Sequence, residues 1–192
     1  TPIREATGRR WAMLAVGGHG GNCGLDAVDS LLYCWGHNDL AQLGLPKRSR
    51  PGTGFDIHAP TLSWAGIKAR TASLENYHGC MVAADGAAWC SGDPIGLGGI
   101  GAAVTADSAP WPVQGDHRFV QVGTGGPGYS CGLRTDGRIT CWGDARYLGT
   151  GETEAVVRAE PQAPIPGLRF DELRVGPGSA CARGVDGAWW CW

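Results

Sequence analysis

The stretch CGLRTDGRITCWG, residues 131–143, places two cysteines around the tripeptide Thr-Asp-Gly at 135–137. A three-residue hairpin loop, made of a type I turn and a left-handed residue, favours glycine at its third position. This loop makes Arg134 and Arg138 the closing pair, and counting outward sets the two cysteines directly opposite each other in a non-hydrogen-bonded pair. The Cα atoms of such a pair approach to about 4.5 Å, at the short end of the disulfide range. The stretch predicts a hairpin closed by one disulfide.

The same phrase occurs four times along the 192 residues, and its first cysteine recurs about every fifty residues. A period of this length is typical of propellers and related repeat folds. Each copy is expected to form its own disulfide, which gives the pairs Cys23 with Cys34, Cys80 with Cys90, Cys131 with Cys141, and Cys181 with Cys191.

The turns inside the pairs support this register. Three of them carry the dipeptide Asp-Gly, namely Asp85-Gly86, Asp136-Gly137 and Asp186-Gly187. The first pair encloses one additional residue, and a four-residue loop over 27–30 absorbs it. Asp26 then faces Leu31, and the two cysteines of this unit remain opposite each other.

Two alternatives to disulfides remain at this point, a metal site and reduced core cysteines. Structural zinc ligands usually occur as C-x2-4-C, whereas nine or ten residues separate these cysteines. Disulfides are favoured, and because they persist mainly in oxidising compartments they predict a secreted or cell-surface protein, with the periplasm as a further possibility.

The aromatic residues next to the cysteines point to the opposite face of each hairpin, since side chains alternate along a strand. A sheet with a disulfide on one face and an aromatic ring on the other is apolar on both and must be covered on both, as propeller blades are. We therefore predict packing between blades, rather than ligand stacking, for Trp35, Trp89, Trp142, Trp190 and Trp192.

The predicted fold is all-β, with four β-propeller blades that are each a mostly antiparallel four-stranded sheet. Alternating apolar runs such as RFVQVG (118–123) indicate strands, and the 33 glycines and 12 prolines indicate many short turns. We expect one repeat domain over 1–192, in which each unit begins with a connecting strand. The approximate units are 1–59, 60–109, 110–160 and 161–192.

The phrases at 34–44, 78–90 and 131–143 resemble the repeat of the regulator of chromosome condensation family in its cysteine-bearing bacterial form. The resemblance covers nearly the whole chain and implies propeller blades, usually seven to a ring. Four units would then belong to a longer array, to a four-bladed ring or to an assembly with other chains. Units two and three depart from the family pattern after the second cysteine, where unit two has Ser91 in place of tryptophan. His78 matches a histidine of the family pattern and is expected to be a hydrogen-bonded structural residue.

Charge and motifs exclude several functions. Sixteen basic against eighteen acidic residues give a net charge of -2, so we expect neither a nucleic-acid partner nor a basic membrane patch. No apolar run approaches the length of a membrane span. The glycine-rich turns at 17–22 and 123–128 precede strands and lack the lysine of a phosphate loop. We expect no catalytic residue, no metal and no cofactor.

The sequence favours an extracytoplasmic protein-binding module without catalytic activity. The resembled family contains protein-binding members, including an exchange factor for a small nuclear GTPase and secreted inhibitors of β-lactamase. Exposed tryptophan and arginine are common interface anchors, and the connections between units offer Arg48, Arg50, Trp64 and Trp111 as interface candidates. The alternative is a structural subunit of an extracellular filament or surface assembly, built by head-to-tail packing of blades; an enzyme is the least favoured reading.

Overall fold

The chain forms four successive antiparallel sheets, here called blades one to four. The structure is a computed structural model that describes residues 8–46, 56–93, 110–126 and 128–192. Blade one contains β1 (Trp11–Val16), β2 (Asn22–Asp26), β3 (Leu32–Gly36) and β4 (Ile57–Leu62). Blade two contains β5 (Ala69–Leu74), β6 (His78–Ala83), β7 (Ala88–Gly92) and β8 (Trp111–Pro112). Blade three contains β9 (Phe119–Gly125), β10 (Tyr129–Arg134), β11 (Ile139–Asp144) and β12 (Val157–Gln162), and blade four contains β13 (Phe170–Gly176), β14 (Ser179–Gly184) and β15 (Trp189–Cys191).

The strands of each blade are neighbours in chain order, and the connecting strand ends its blade instead of beginning the next one. In blade one, β4 returns along the free edge of β3, where Thr61 faces Cys34. The blades therefore span 11–62, 69–112, 119–162 and 170–191. The boundaries of the predicted units 1–59, 60–109, 110–160 and 161–192 fall within or just before the connecting strands. Blade four has three strands within the part of the chain described here.

The hairpins have the register that counting from their turns predicts. In blade three, the Arg134 amide donates to the Arg138 carbonyl at 2.8 Å, and Cys131 faces Cys141. In blade one, the Asp26 amide donates to the Leu31 carbonyl at 3.0 Å, which confirms the four-residue loop that keeps its cysteines opposite each other.

All eight cysteines lie in the described residues and form the four predicted disulfides. The Cα atoms of each pair are 4.0 to 4.1 Å apart. One disulfide therefore closes the central hairpin of every blade, which confirms this part of the predicted fold: Cys23–Cys34, Cys80–Cys90, Cys131–Cys141 and Cys181–Cys191.

Successive blades pack with the disulfide face of one against the aromatic face of the next. The Cys23–Cys34 disulfide shares a core with Met81 and the partly buried Trp89 of blade two. The pattern repeats between the later blades: Cys80 and Cys90 share a core with Phe119 and Trp142, and Cys131 and Cys141 share one with Phe170 and Trp192. The core of the molecule thus consists of the three interfaces between blades.

The hairpin turns also hold the next blade through backbone hydrogen bonds. The Phe119 amide donates to the Gly86 carbonyl at 2.7 Å, and the Phe170 amide donates to the Gly137 carbonyl at 2.7 Å. At the first joint, the Ala69 amide donates to the Ser30 carbonyl at 2.8 Å. The glycine required by the turn is therefore also the acceptor that positions the first strand of the following blade.

We predict that Gly137→Ala lowers the free energy of unfolding by about 1 to 2 kcal/mol, measured by urea denaturation. Gly137 has a φ of 79°, where a Cβ is disfavoured, and that Cβ would lie 3.2 Å from Cδ of Arg169. The control is Gly176→Ala, because Gly176 lies outside the left-handed region and its new Cβ would meet nothing closer than 3.9 Å. The control should change stability by less than about 0.5 kcal/mol. Equal effects of the two substitutions would contradict this role of the turn.

Candidate functional site

The alternation of strand direction sends the connections of every blade to two opposite rims. The lower rim carries the hairpin turns with the disulfides above them, together with the connections that enter the next blade. The upper rim carries the turns after each first strand and the connections after each third strand. Its described parts are 17–21, 75–77, 126, 128 and 177–178 from the turns, and 37–46, 56, 93, 110 and 145–156 from the connections.

The connection after β3 is folded by its own side chains. Oδ1 of Asn38 accepts from the Leu43 amide at 3.0 Å, and Nδ2 of Asn38 donates to the Leu45 carbonyl at 3.2 Å. Leu43 is fully buried beneath the loop, and Nε2 of Gln42 donates across to the Asn76 carbonyl of blade two at 3.4 Å. These contacts give the phrase at 34–44 a structural role, because they fix the loop and join it to the next blade.

A cavity of about 410 Å³ lies on the upper rim where blades two, three and four meet. The Gly178 amide of blade four donates to the Gly126 carbonyl of blade three at 2.7 Å, which joins their two turns. The lining comes from all three blades: Glu75, Asn76, Tyr77, Gly126, Tyr147, Pro177 and Gly178.

The cavity combines a carboxylate with two tyrosine rings. Oε2 of Glu75 is buried and has no hydrogen-bond partner among the described residues. The side chain of Tyr77 is 39 % exposed. The ring of Tyr147 stacks on Tyr129 with centroids 5.6 Å apart, and the Tyr129 hydroxyl donates to the Ser179 carbonyl at 2.6 Å. The guanidinium of Arg146 already lies 5.5 Å from the ring centroid of Tyr147. The Glu75 carboxylate and the ring of Tyr77 are therefore the groups suited to attract a further cationic group.

Histidine and further carboxylates extend this surface toward blade one. The ring of His19 meets Tyr77 edge-on at 5.2 Å. His37 lies between Asp56 and Asp39, at 2.9 and 3.1 Å. The hydrogen bond to Asp56 raises the pKa of His37 above its usual range. The described upper rim therefore presents aromatic rings among carboxylates.

The residues of this cavity were not predicted from sequence. One signal for them exists, because the turn at 75–77 reads Glu-Asn-Tyr where the corresponding turns at 17–21 and 177–178 are rich in glycine or proline. The convergence of Tyr147 on this turn depends on how the blades pack, which no local pattern shows.

The tryptophans predicted to pack between blades occupy different environments. Trp142 is fully buried, with its ring 5.8 Å from that of Phe119. Trp192 packs against blade three, where a Cβ at Gly149 would meet its ring at 2.6 Å. Trp35 and Trp89 are partly buried, whereas Trp190 is 42 % exposed on the last described blade.

Of the four predicted interface residues, the prediction for Trp64 is wrong, because its side chain is fully buried. The connection after β4 turns inward, and both Trp64 and Ala65 have a φ above 50°. This turn places the indole beneath the connection after β3, where a Cβ at Gly44 would meet it at 2.7 Å. Trp111 is partly exposed in β8 and faces Cys90. The other two candidates, Arg48 and Arg50, lie outside the described residues.

No group of three or more metal-ligating side chains is found in the described part of the chain. No described helix is long and apolar enough to span a bilayer. His78 is fully buried, and its Nε2 lies 2.9 Å from the Ser130 hydroxyl of blade three. The histidine of the repeat therefore contributes a hydrogen bond between blades.

We predict that His78 makes stability depend on pH. Burial lowers the pKa of His78 to about 4, against about 6.5 in an unfolded chain, so the unfolded state binds the proton more tightly. The contribution of neutral His78 to the free energy of unfolding is therefore fully present above about pH 6.5 and is lost as the pH falls toward 4. Between pH 7 and 4.5 the wild type should lose about 2 kcal/mol more than His78→Gln in urea unfolding. Parallel pH dependences of the two proteins would contradict this origin.

Comparison with known proteins identifies the fold. No family model and no curated protein matches the sequence. Among solved structures, human WBSCR16 is 18 % identical and matches all of this chain and 51 % of its own length, with a TM-score of 0.81. Prp20p from Saccharomyces cerevisiae, studied for its binding to Gsp1p and histones, is 17 % identical over 91 % of this chain and 44 % of its own, with a TM-score of 0.74.

The ectodomain of the receptor kinase CR4 from Physcomitrella patens is 22 % identical over 97 % of this chain and 41 % of its own, with a TM-score of 0.60. The chain thus spans about half of these proteins or less. The yeast protein Prp20 is also called RCC1. At these identities the likeness concerns the fold alone, and the chain has the β-propeller repeat fold of this group.

Proposed function

We propose that the chain is an extracytoplasmic protein-binding module that acts without catalysis and without nucleic acid, and that its upper rim is the binding surface. The observation that carries this proposal is the cavity in which turns from three blades bring Glu75, Tyr77 and Tyr147 together. Four disulfides support an oxidising compartment. The similarity to a receptor-kinase ectodomain agrees with that location.

The chemistry of the cavity defines the partner that it accepts. An isolated buried carboxylate oxygen is costly unless a donor reaches it. A lysine or arginine side chain supplies that donor and places its cation against the exposed ring of Tyr77. Tyrosine is also among the residues that dominate binding energy at interfaces. The partner is therefore a protein that presents a basic side chain to the upper rim.

The test is the capture of proteins from the secreted and surface fraction of the source organism on the immobilised chain, quantified by mass spectrometry. Proteins retained by the wild type should be lost on the double variant Tyr77→Ser/Tyr147→Ser. For the tightest of these proteins, Glu75→Gln should weaken binding by about tenfold, because it removes the charge and keeps the shape.

The matched control is Val28→Ser. Val28 is 82 % exposed in the hairpin turn of blade one, at the opposite rim, so its substitution should leave capture unchanged. Capture that is equal for all variants, or that is lost with Val28→Ser alone, would contradict binding at the upper rim. Absence of any protein retained specifically by the wild type would contradict the function itself.

Head-to-tail packing of blades, the second candidate function, is favoured by the two outer faces of the described blades. Blade four leaves its disulfide face open, with Cys191 exposed. Blade one presents its aromatic face on the other side, where Trp35 is partly exposed and the guanidinium of Arg9 lies over the ring of Tyr33. These faces are the two halves of the contact that joins each internal pair of blades. Regular polymers in light scattering and negative-stain images would favour this function over the first, and a single species of one chain mass would exclude it.

A further inference from the structure

A second cavity, of about 320 Å³, lies near the lower rim of blade three, away from the proposed protein-binding surface. One part of its wall is cationic or polar and contains His117, Arg134 and Arg138. Another part is apolar and contains Pro161, Ile165 and Pro166. The volume is at the lower end of the range for sites that bind small molecules.

The polar part of the cavity has more donors than acceptors. Asp136 is the carboxylate that faces the two guanidinium groups, 3.1 Å from Arg134 and 3.8 Å from Arg138. Nε of Arg134 is buried without a hydrogen-bond partner in the described residues. The hydroxyl of Thr140 in the same wall is also buried and without a partner there, on a residue that is only 5 % exposed. Buried donors of this kind normally find an acceptor.

Blade three differs from the other blades in a residue that lines this cavity. Thr140 faces Gly132 across the hairpin. The residues at the same register in the other three blades are all aromatic: Tyr33, Trp89 and Trp190. A threonine in place of an aromatic ring removes most of the side-chain volume at this position.

Blade three also differs from blades two and four in the charge at this site, whereas blade one has Arg9 at the position of His117. The positions of His117, Arg134 and Arg138 are occupied in blade two by Ile67, Ala83 and Ala87 and in blade four by Leu168, Gly184 and Ala188. Those two blades form the same hairpin without a cation at any of the three positions. The fold of a blade therefore does not require this charge.

We propose that the cavity binds a small organic anion, whose carboxylate or phosphate group contacts Arg134, Arg138 and His117 and whose apolar part lies against Pro161, Ile165 and Pro166. Guanidinium groups bind planar carboxylates and phosphates through charge-assisted hydrogen bonds. Burial, with a further contribution from the neighbouring Arg134, lowers the pKa of His117. A bound anion offsets both effects and raises that pKa, which gives a local readout of occupancy.

The test uses benzoate and phenyl phosphate as probes and benzamide as their neutral counterpart, in calorimetric and NMR titrations of the whole chain at low salt. At least one of the two anions should bind saturably with one site per chain, and benzamide should not. The tighter of the two identifies the head group. The resonances of His117 should shift on binding, and its titration midpoint should move to higher pH.

Two variants distinguish binding in this cavity from general electrostatic attraction to the protein surface. Thr140→Trp introduces the residue that blades two and four carry at this register, so it should fill the cavity and abolish binding while the melting temperature is retained. Arg138→Gln removes a guanidinium that is 51 % exposed and should weaken binding by about tenfold. The control is Arg174→Gln, which removes a 71 % exposed arginine outside the cavity and should have no effect. The proposal is overturned if both anions bind no better than benzamide, or if Thr140→Trp and Arg138→Gln bind like the wild type.

Discussion

The contact between the disulfide face of one blade and the aromatic face of the next determines the rest of this structure. A hairpin with a disulfide on one side and a large ring on the other is apolar on both faces, so no blade can bury its own core. Stacking blades in chain order solves this problem, and each internal interface repeats the solution with different residues, as Met81 and Trp142 illustrate. Stability in such a repeat is largely a sum of terms between neighbours.

The apolar contacts that hold the blades together lie between their faces, so most side chains at the two rims are not needed for this packing. The strands, disulfides and hairpin turns hold the blades together, and the connecting residues need only close each turn. On the upper rim, a polar turn in blade two and a tyrosine in blade three meet at a cavity. Near the lower rim, blade three has Thr140 where the other blades have an aromatic residue, and a cavity lies beside it. In both places, a local departure from the repeat accompanies the features of a binding site.

The sequence predicts the features that depend on local geometry. The register of each hairpin follows from its turn, and the four disulfides follow from the register, including blade one with its longer loop. The face of each aromatic residue follows from strand alternation. The sequence also indicates the approximate number of blades, because the phrase at 131–143 recurs at a regular period.

The remaining features depend on contacts between distant residues. From the sequence alone, a connecting strand could either begin the next sheet or end its own. It ends its own sheet because it pairs with the free edge of the third strand, as β4 does with β3. Trp64 was predicted to be an interface residue because it lies in a connection, whereas the left-handed turn at Trp64 and Ala65 directs it into the core. The two cavities were missed because each draws its lining from segments that are far apart in the chain.

The most direct test of the account is the order in which the four disulfides are reduced under native conditions, followed by alkylation and mass mapping. Thiol–disulfide exchange requires access to the sulfur. The six cysteines of blades one to three are 0 % exposed beneath the next blade, whereas Cys191 on the open face of blade four is exposed. We expect Cys181–Cys191 to be reduced well before the other three disulfides. Reduction of any internal disulfide at the same rate or earlier would contradict the packing of each disulfide face against the following blade.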